Sequence, residues 1–152
     1  MNKILVLCTG NSCRSQMAEG FLKHYGKGKV EAYSAGVEAH GKNPYALKVM
    51  AEIDLDISHQ ESETMDKYVN EKFDFVITVC DNAKQRCPIF PGATNVIHHS
   101  FPDPADATGT DEEKLVVYRK VRDMIGEYCK HFLLTMSPSR NIYGMVLISF
   151  II

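Results

Sequence analysis

Apolar runs alternate with amphipathic stretches along most of this chain. Lys3 to Leu7 is an apolar run that ends abruptly in Cys8, and it predicts a buried first strand. From Ser15 to Tyr25, Met17, Ala18, Phe21, Leu22 and Tyr25 recur at helical spacing, and Gly26 stands where a helix would end. Val30 to Ala35, closed by Gly36, predicts a second strand. Asn43 before Pro44 reads as an N-cap followed by proline at the first helical position, opening a helix through Ala46, Leu47, Val49, Met50 and Ile53. Ser58 to Asn70 is polar and predicts loop with a short helix around Met65 to Val69.

The second half repeats the alternation. Phe73 to Val79 predicts a third strand whose unbroken apolarity implies burial on both faces, and it runs into Cys80. Asp81 to Gly92 carries Cys87, Pro88 and Pro91 and predicts an irregular exposed segment or a single helical turn. Asn95 to His98 predicts a shorter fourth strand, and the proline-rich Ser100 to Gly109 admits no regular element. Thr110 and Glu113 have the spacing of a capping box, opening the longest helix with an apolar stripe of Val117, Val121, Met124, Ile125, Tyr128 and Phe132.

This order implies parallel strands joined by crossover helices. It predicts an α/β fold, an open doubly wound sheet of four parallel strands in the flavodoxin-like order 2-1-3-4, with helices on both faces. Residues 1–133 form the expected domain. Residues 134–152 form an atypical tail; Tyr143 to Ile152 is apolar but too short to span a bilayer as a helix, so a docked strand or flap is expected.

Composition narrows the partners. The 152 residues carry a formal charge of −2 and no basic stripe, which argues against nucleic acid. Met1 to Lys3 leads straight into the first strand with no room for a signal peptide, so a cytoplasmic location, no membrane association and a monomer are expected. Five cysteines in such a chain point to catalysis, redox chemistry or metal binding rather than a disulfide framework. The spacings Cys8 to Cys13 and Cys80 to Cys87 are not those of a zinc knuckle.

The chemistry starts where the first strand ends. Cys8, Thr9, Gly10, Asn11, Ser12, Cys13, Arg14 and Ser15 join strand to helix through small and polar residues. Such a loop can aim backbone N–H groups at one point, the helix start adds partial positive charge, and Arg14 adds a fork suited to a tetrahedral oxyanion. In that field Cys8 is expected to be a thiolate near neutral pH. Open α/β sheets bind ligands beyond the carboxyl ends of their strands, so Cys8 and Cys80, ending neighbouring strands, are expected to rim one crevice.

The loop from Cys8 to Ser15 resembles the C-x5-R-[ST] loop of low-molecular-weight protein tyrosine phosphatases. With Gln16 to Gly20, Tyr33 to Gly36, Cys80 and Cys87 before Pro88, and Asp103-Pro104, the chain resembles the thioredoxin-coupled arsenate reductases built on that fold. The resemblance implies that Cys8 attacks arsenate held by the loop amides and Arg14, while Asp103 serves as general acid. It implies that Cys80 then attacks Cys8, that Cys87 attacks Cys80, and that thioredoxin reduces the product, with phosphate or sulfate as competing oxyanions. No tightly bound cofactor is implied. Asn11 matches a residue that braces the loop, and Ser15 sits where its hydroxyl can reach the Cys8 thiolate. Some family members bind a potassium ion through residues matching Asn11, Glu19 and Ser34, with Glu63 at the position of a further acidic ligand.

Plainer readings compete. Cys13 reads as packing or a bystander thiol, and Cys129 as core. Asp103 could simply cap a turn before Pro104. His98 and His99 are adjacent on a strand, point to opposite faces and cannot both serve one site. For function, the alternatives are a phosphatase acting through a Cys8 phospho-enzyme and an oxyanion-sensing redox module. Cys80 and Cys87, which hydrolysis does not need, favour arsenate reduction.

Overall fold

The computed structural model describes residues 1–80 and 90–136. Cys87, most of the segment around it and the tail from residue 137 onward lie outside the described residues. At the centre is β1 (Asn2–Cys8), flanked by β2 (Val30–Gly36) and β3 (Phe73–Thr78), with β4 (Ala93–His98) beyond β3. The sheet has four strands in the order β2-β1-β3-β4, and every pairing is parallel, as the alternation predicts.

The centrality of β1 follows from its sequence. Ile4, Leu5, Val6 and Leu7 are each fully buried, and only a strand with both faces covered can use such a run. Ile4, Val6 and Cys8 pack on one side with α1 (Arg14–Tyr25), α2 (Pro44–Ala51) and α3 (Asp111–Met136). Leu5 and Leu7 pack on the other with Tyr68, Phe73, Val76 and Phe90. Each such aliphatic side chain contributes about 1.5–3 kcal/mol on burial. The three α-helices of the described residues share the first face. Among the described residues the second face is covered by the short 3-10 turn Met65–Tyr68, Phe90 and a cluster of aromatic rings around Tyr33. Among the described residues β4 is an edge strand and mostly exposed, with Val96 largely open to solvent.

The helix signals act as their chemistry dictates. Asn43 Oδ1 accepts the N–H groups of Tyr45 and Ala46 at 2.8 and 3.2 Å, with Pro44 at the first helical position. Thr110 and Glu113 close a reciprocal box, at 3.1 and 3.2 Å. Helix α2 stops at Ala51 rather than reaching Ile53, which is partly exposed. Helix α3 continues to Met136, past the expected domain limit at residue 133. No described helix is long and apolar enough to cross a membrane.

Candidate active site

Every strand of a parallel sheet delivers its carboxyl end to the same edge, and there the loop from Cys8 to Arg14 turns from β1 into α1. Its carbonyls point outward onto a strap formed by residues 37–43. The N–H groups of Val37, Glu38, His40 and Asn43 donate to the carbonyls of Cys8, Thr9, Gly10 and Ser12 at 3.3, 2.9, 2.9 and 3.0 Å. With its carbonyls satisfied outside, the loop can turn N–H groups inward, and those of Thr9 and Gly10 reach the Cys8 sulfur. Gly36, at the end of β2, lies so close that a Cβ there would stand 2.7 Å from the Thr9 carbonyl and 2.8 Å from the Asn11 nitrogen.

Asn11 makes the turn with a left-handed φ of 46°. Its Nδ2 donates to Ser15 Oγ and Ser34 Oγ, both at 2.9 Å, and its Oδ1 accepts the Glu63 N–H at 2.8 Å. Its carbonyl takes the Ser62 hydroxyl at 2.9 Å and the Gln16 amide at 3.1 Å. Gln16 is in turn held by Gln60, whose Nε2 donates to Gln16 Oε1 at 2.9 Å. Asn11 and Ser15 therefore form a buried frame beneath the loop rather than part of the pocket wall. This network, in which Gln60 Oε1 alone is buried without a partner among the described residues, fixes a backbone turn that carries an intrinsic cost of about 1 kcal/mol or more.

Above the frame lies a cavity of about 180 Å³ lined by Cys8, Thr9, Gly10, Ser12, Cys13, Arg14, His40, Asn43, Asp103 and Ala105. Arg14 is buried, with Nη1 donating to the Phe101 carbonyl at 3.1 Å and Nη2 3.3 Å from Asp103 Oδ2. Asp103 also accepts the Ala105 N–H at 3.0 Å, capping the 3-10 turn Pro104–Asp106. It thus caps a turn and faces the pocket at once. Cys13, expected as a bystander, stands in the pocket wall.

The expectation that Cys8 is a thiolate at rest needs correction. Burial is the largest influence on this sulfur, 5 % exposed, and it pushes the thiol pKa up. The Arg14 guanidinium and the N–H groups of Thr9 and Gly10 pull it down, while the Asp103 carboxylate pushes it up again. Removal from water wins over the field of the loop. Burial likewise raises Cys13, and it pushes the core thiol Cys129 up to about 12.

Cys80 is fully buried in the same core cluster as Cys8, just beyond β3, and is disulfide-bonded, whereas Cys8, Cys13 and Cys129 are free thiols. The Val79 N–H donates to the Leu7 carbonyl at 3.0 Å, so the ends of β1 and β3 adjoin. Cys80 is not in the pocket wall. The two histidines part as alternation requires: His98 Nδ1 lies 2.7 Å from Thr78 Oγ1, and His99 stacks on Tyr128.

The residues expected to hold potassium are brought together, but their oxygens are engaged. Ser34 donates to Glu19 Oε1 at 2.5 Å, Glu19 Oε2 takes the Lys23 ammonium at 2.5 Å, and Asn11 turns its donor nitrogen to Ser34. Glu63 takes Lys67 and the Tyr68 hydroxyl. So arranged, these groups do not form an open oxygen cage.

Sequence reasoning missed the strap residues His40 and Asn43 as pocket wall, and Gln60 and Ser62 as frame. One signal was present: the loop after β2 leaves the same sheet edge as Cys8, where binding residues gather.

Comparison with known proteins bears on this geometry. Residues 3–141 match the model of the low molecular weight phosphotyrosine protein phosphatase family. The chain is 54% identical over 134 residues to an arsenate reductase of Halalkalibacterium halodurans, covering 87% of this chain and 96% of that one. A solved arsenate reductase in its phosphate-binding state superposes with a TM-score of 0.76 at 33% identity, covering 90% of this chain and 100% of the other. A thioredoxin-dependent arsenate reductase of Corynebacterium glutamicum gives a TM-score of 0.63 at 25% identity, covering 90% and 64%.

Proposed function

The chain belongs to the low-molecular-weight phosphotyrosine protein phosphatase family, and from that premise we propose that it reduces arsenate to arsenite through a thiol relay starting at Cys8. The observation that carries the reading is the adjoining of two strand ends, one leading into Cys8 at the base of the pocket and the other into Cys80. Hydrolysis of a phosphate ester needs only the first. Relatives named as arsenate reductases support the same choice.

The proton inventory suits the first step. At rest burial holds the proton on Cys8, and Asp103 pairs with Arg14. Transfer of that proton to Asp103 creates a nucleophilic thiolate and a general acid together. Cys8 attacks arsenic, Arg14 and the loop amides hold the oxyanion, and Asp103 protonates the departing oxygen, which leaves as water. Cys80, freed from its disulfide by a reductant before the cycle begins, then attacks the Cys8 sulfur as a thiolate; the sulfur–arsenic bond breaks, its electron pair stays on arsenic, and arsenite leaves a Cys8–Cys80 disulfide. Cys87 attacks Cys80 and frees Cys8, and a dithiol reductant of the thioredoxin kind reduces the Cys80–Cys87 bond. The thioredoxin-dependent relative supports that choice of reductant.

Phosphate-ester hydrolysis is the second reading, favoured by the family itself, since nucleophile, arginine and acid would be shared. Among the described residues the pocket wall contains no Phe or Tyr to grip a phosphotyrosine ring, so hydrolysis is expected as a slow side reaction. Arsenate-dependent NADPH oxidation with thioredoxin and thioredoxin reductase tests the choice. Cys80→Ser and Cys87→Ser should both lose turnover, with Cys87→Ser still reducing about one arsenate per chain. Full multiple turnover by Cys80→Ser would overturn the relay.

A further inference from the structure

The strap that satisfies the oxyanion loop also brings one titratable side chain to the pocket. His40 lines the same cavity as Cys8, Arg14 and Asp103. Its backbone N–H donates to the Gly10 carbonyl at 2.9 Å, and its Nε2 lies 2.5 Å from Glu38 Oε2. The ring sits directly over Gly10, where any Cβ would collide with Nδ1. Gly10 does not have a left-handed φ, so its backbone alone does not call for glycine; the imidazole takes the space a side chain would fill.

We propose that His40 is an oxyanion-contacting residue, donating Nδ1–H of its imidazolium to an outer oxygen of the anion held by the loop, while Glu38 orients the ring from outside. This rests on the reading of the loop as an oxyanion site and names a ligand-binding group within it. Tautomer logic makes the contact proton-dependent. The Glu38 carboxylate accepts from Nε2, so the neutral ring leaves a lone pair at Nδ1, on the side of Gly10, and only the protonated ring can donate from there. The charges facing the ring are Glu38 from its own strap, Arg14 from the oxyanion loop and Asp103 from the 3-10 turn, with the thiols of Cys8 and Cys13 beside them. Within the pocket wall the Arg14 guanidinium is already paired with the Asp103 carboxylate, so an arriving dianion meets little uncompensated positive charge unless His40 is protonated. A surface histidine paired with a glutamate is ordinarily only a solvated contact. The fit of its ring over a side-chain-free residue of the loop is what sets this one apart.

Sulfate is the probe, since it stays a dianion across the histidine range. Its affinity is measured by calorimetry between pH 5.5 and 8 on Cys8→Ser, which removes the Cys8 proton, and on Cys8→Ser with His40→Gln. With His40 the affinity should fall about threefold to fivefold as pH rises, the size expected for one half-exposed charge. With His40→Gln it should be nearly flat and equal to the high-pH value. Equal pH slopes with and without His40, or unchanged affinity of His40→Gln at pH 5.5, would overturn the proposal while leaving the oxyanion site standing. Absence of sulfate binding by both proteins at every pH would overturn the site reading and the His40 contact together.

Discussion

Replacing Asn11 tests whether the frame beneath the loop holds its shape. Asn11 is fully buried, sits at φ 46° and gives its side chain to Ser15, Ser34 and the Glu63 N–H. Asn11→Ala removes the acceptor of that N–H, which costs about 1–3 kcal/mol for a buried donor left without a partner. It also puts an ordinary side chain in the left-handed region, about 1–2 kcal/mol more. The sum, about 2–5 kcal/mol, is a large share of the 5–15 kcal/mol typical of a domain. Asn11→Gly loses the same hydrogen bonds but not the backbone strain. After its greater unfolded-state entropy is subtracted, it should be about 0.5–1 kcal/mol less destabilised than Asn11→Ala. Urea unfolding followed by circular dichroism, in buffer free of phosphate and sulfate that would stabilise the folded state, measures both. A loss below about 1 kcal/mol for Asn11→Ala would refute the frame, given the costs above. A glycine variant less stable than the alanine one would refute the backbone part.

The Asp103 carboxylate pushes the Cys8 thiol up, so Asp103→Asn should lower its pKa and shift iodoacetamide alkylation of Cys8 to lower pH, read in a Cys13→Ser background. An unchanged or upward shift would contradict the sign. Gly36→Ala drives a methyl group into the backbone of Thr9 and Asn11, which cannot swing aside, so the melting temperature and sulfate affinity should fall together, the stability by about 2–4 kcal/mol. Wild-type melting would show that the strand end has room.

Strand order and the strand–loop–helix unit at Cys8 were legible because both depend on side-chain pattern. The unbroken run Ile4 to Leu7 demands burial on both faces, and Asn43-Pro44 and Thr110 with Glu113 announce helix starts by side-chain chemistry. The strap was not legible for the opposite reason. Its hold on the loop is made by the backbone N–H groups of Val37, Glu38, His40 and Asn43, to which side-chain identity is nearly indifferent. Gln60 and Ser62 sit in a polar stretch without periodicity, and only the fold brings them under Asn11. The protonation of Cys8 was misjudged because attraction by a helix start and Arg14 can be read from order along the chain, whereas the cost of leaving water depends on everything packed around the sulfur. Cys13 looked idle for a similar reason, since a position within a loop does not reveal which side chains face its hollow.

The most direct test of the relay is a single turnover without added reductant. Fully reduced protein is mixed with excess arsenate, quenched by alkylation and mapped by mass spectrometry while arsenite is counted. The relay predicts about one arsenite per chain, Cys8 recovered as an alkylated thiol, and Cys80 joined to Cys87. Arsenite formation with Cys80 and Cys87 both still reduced, or no arsenite at all, would contradict it.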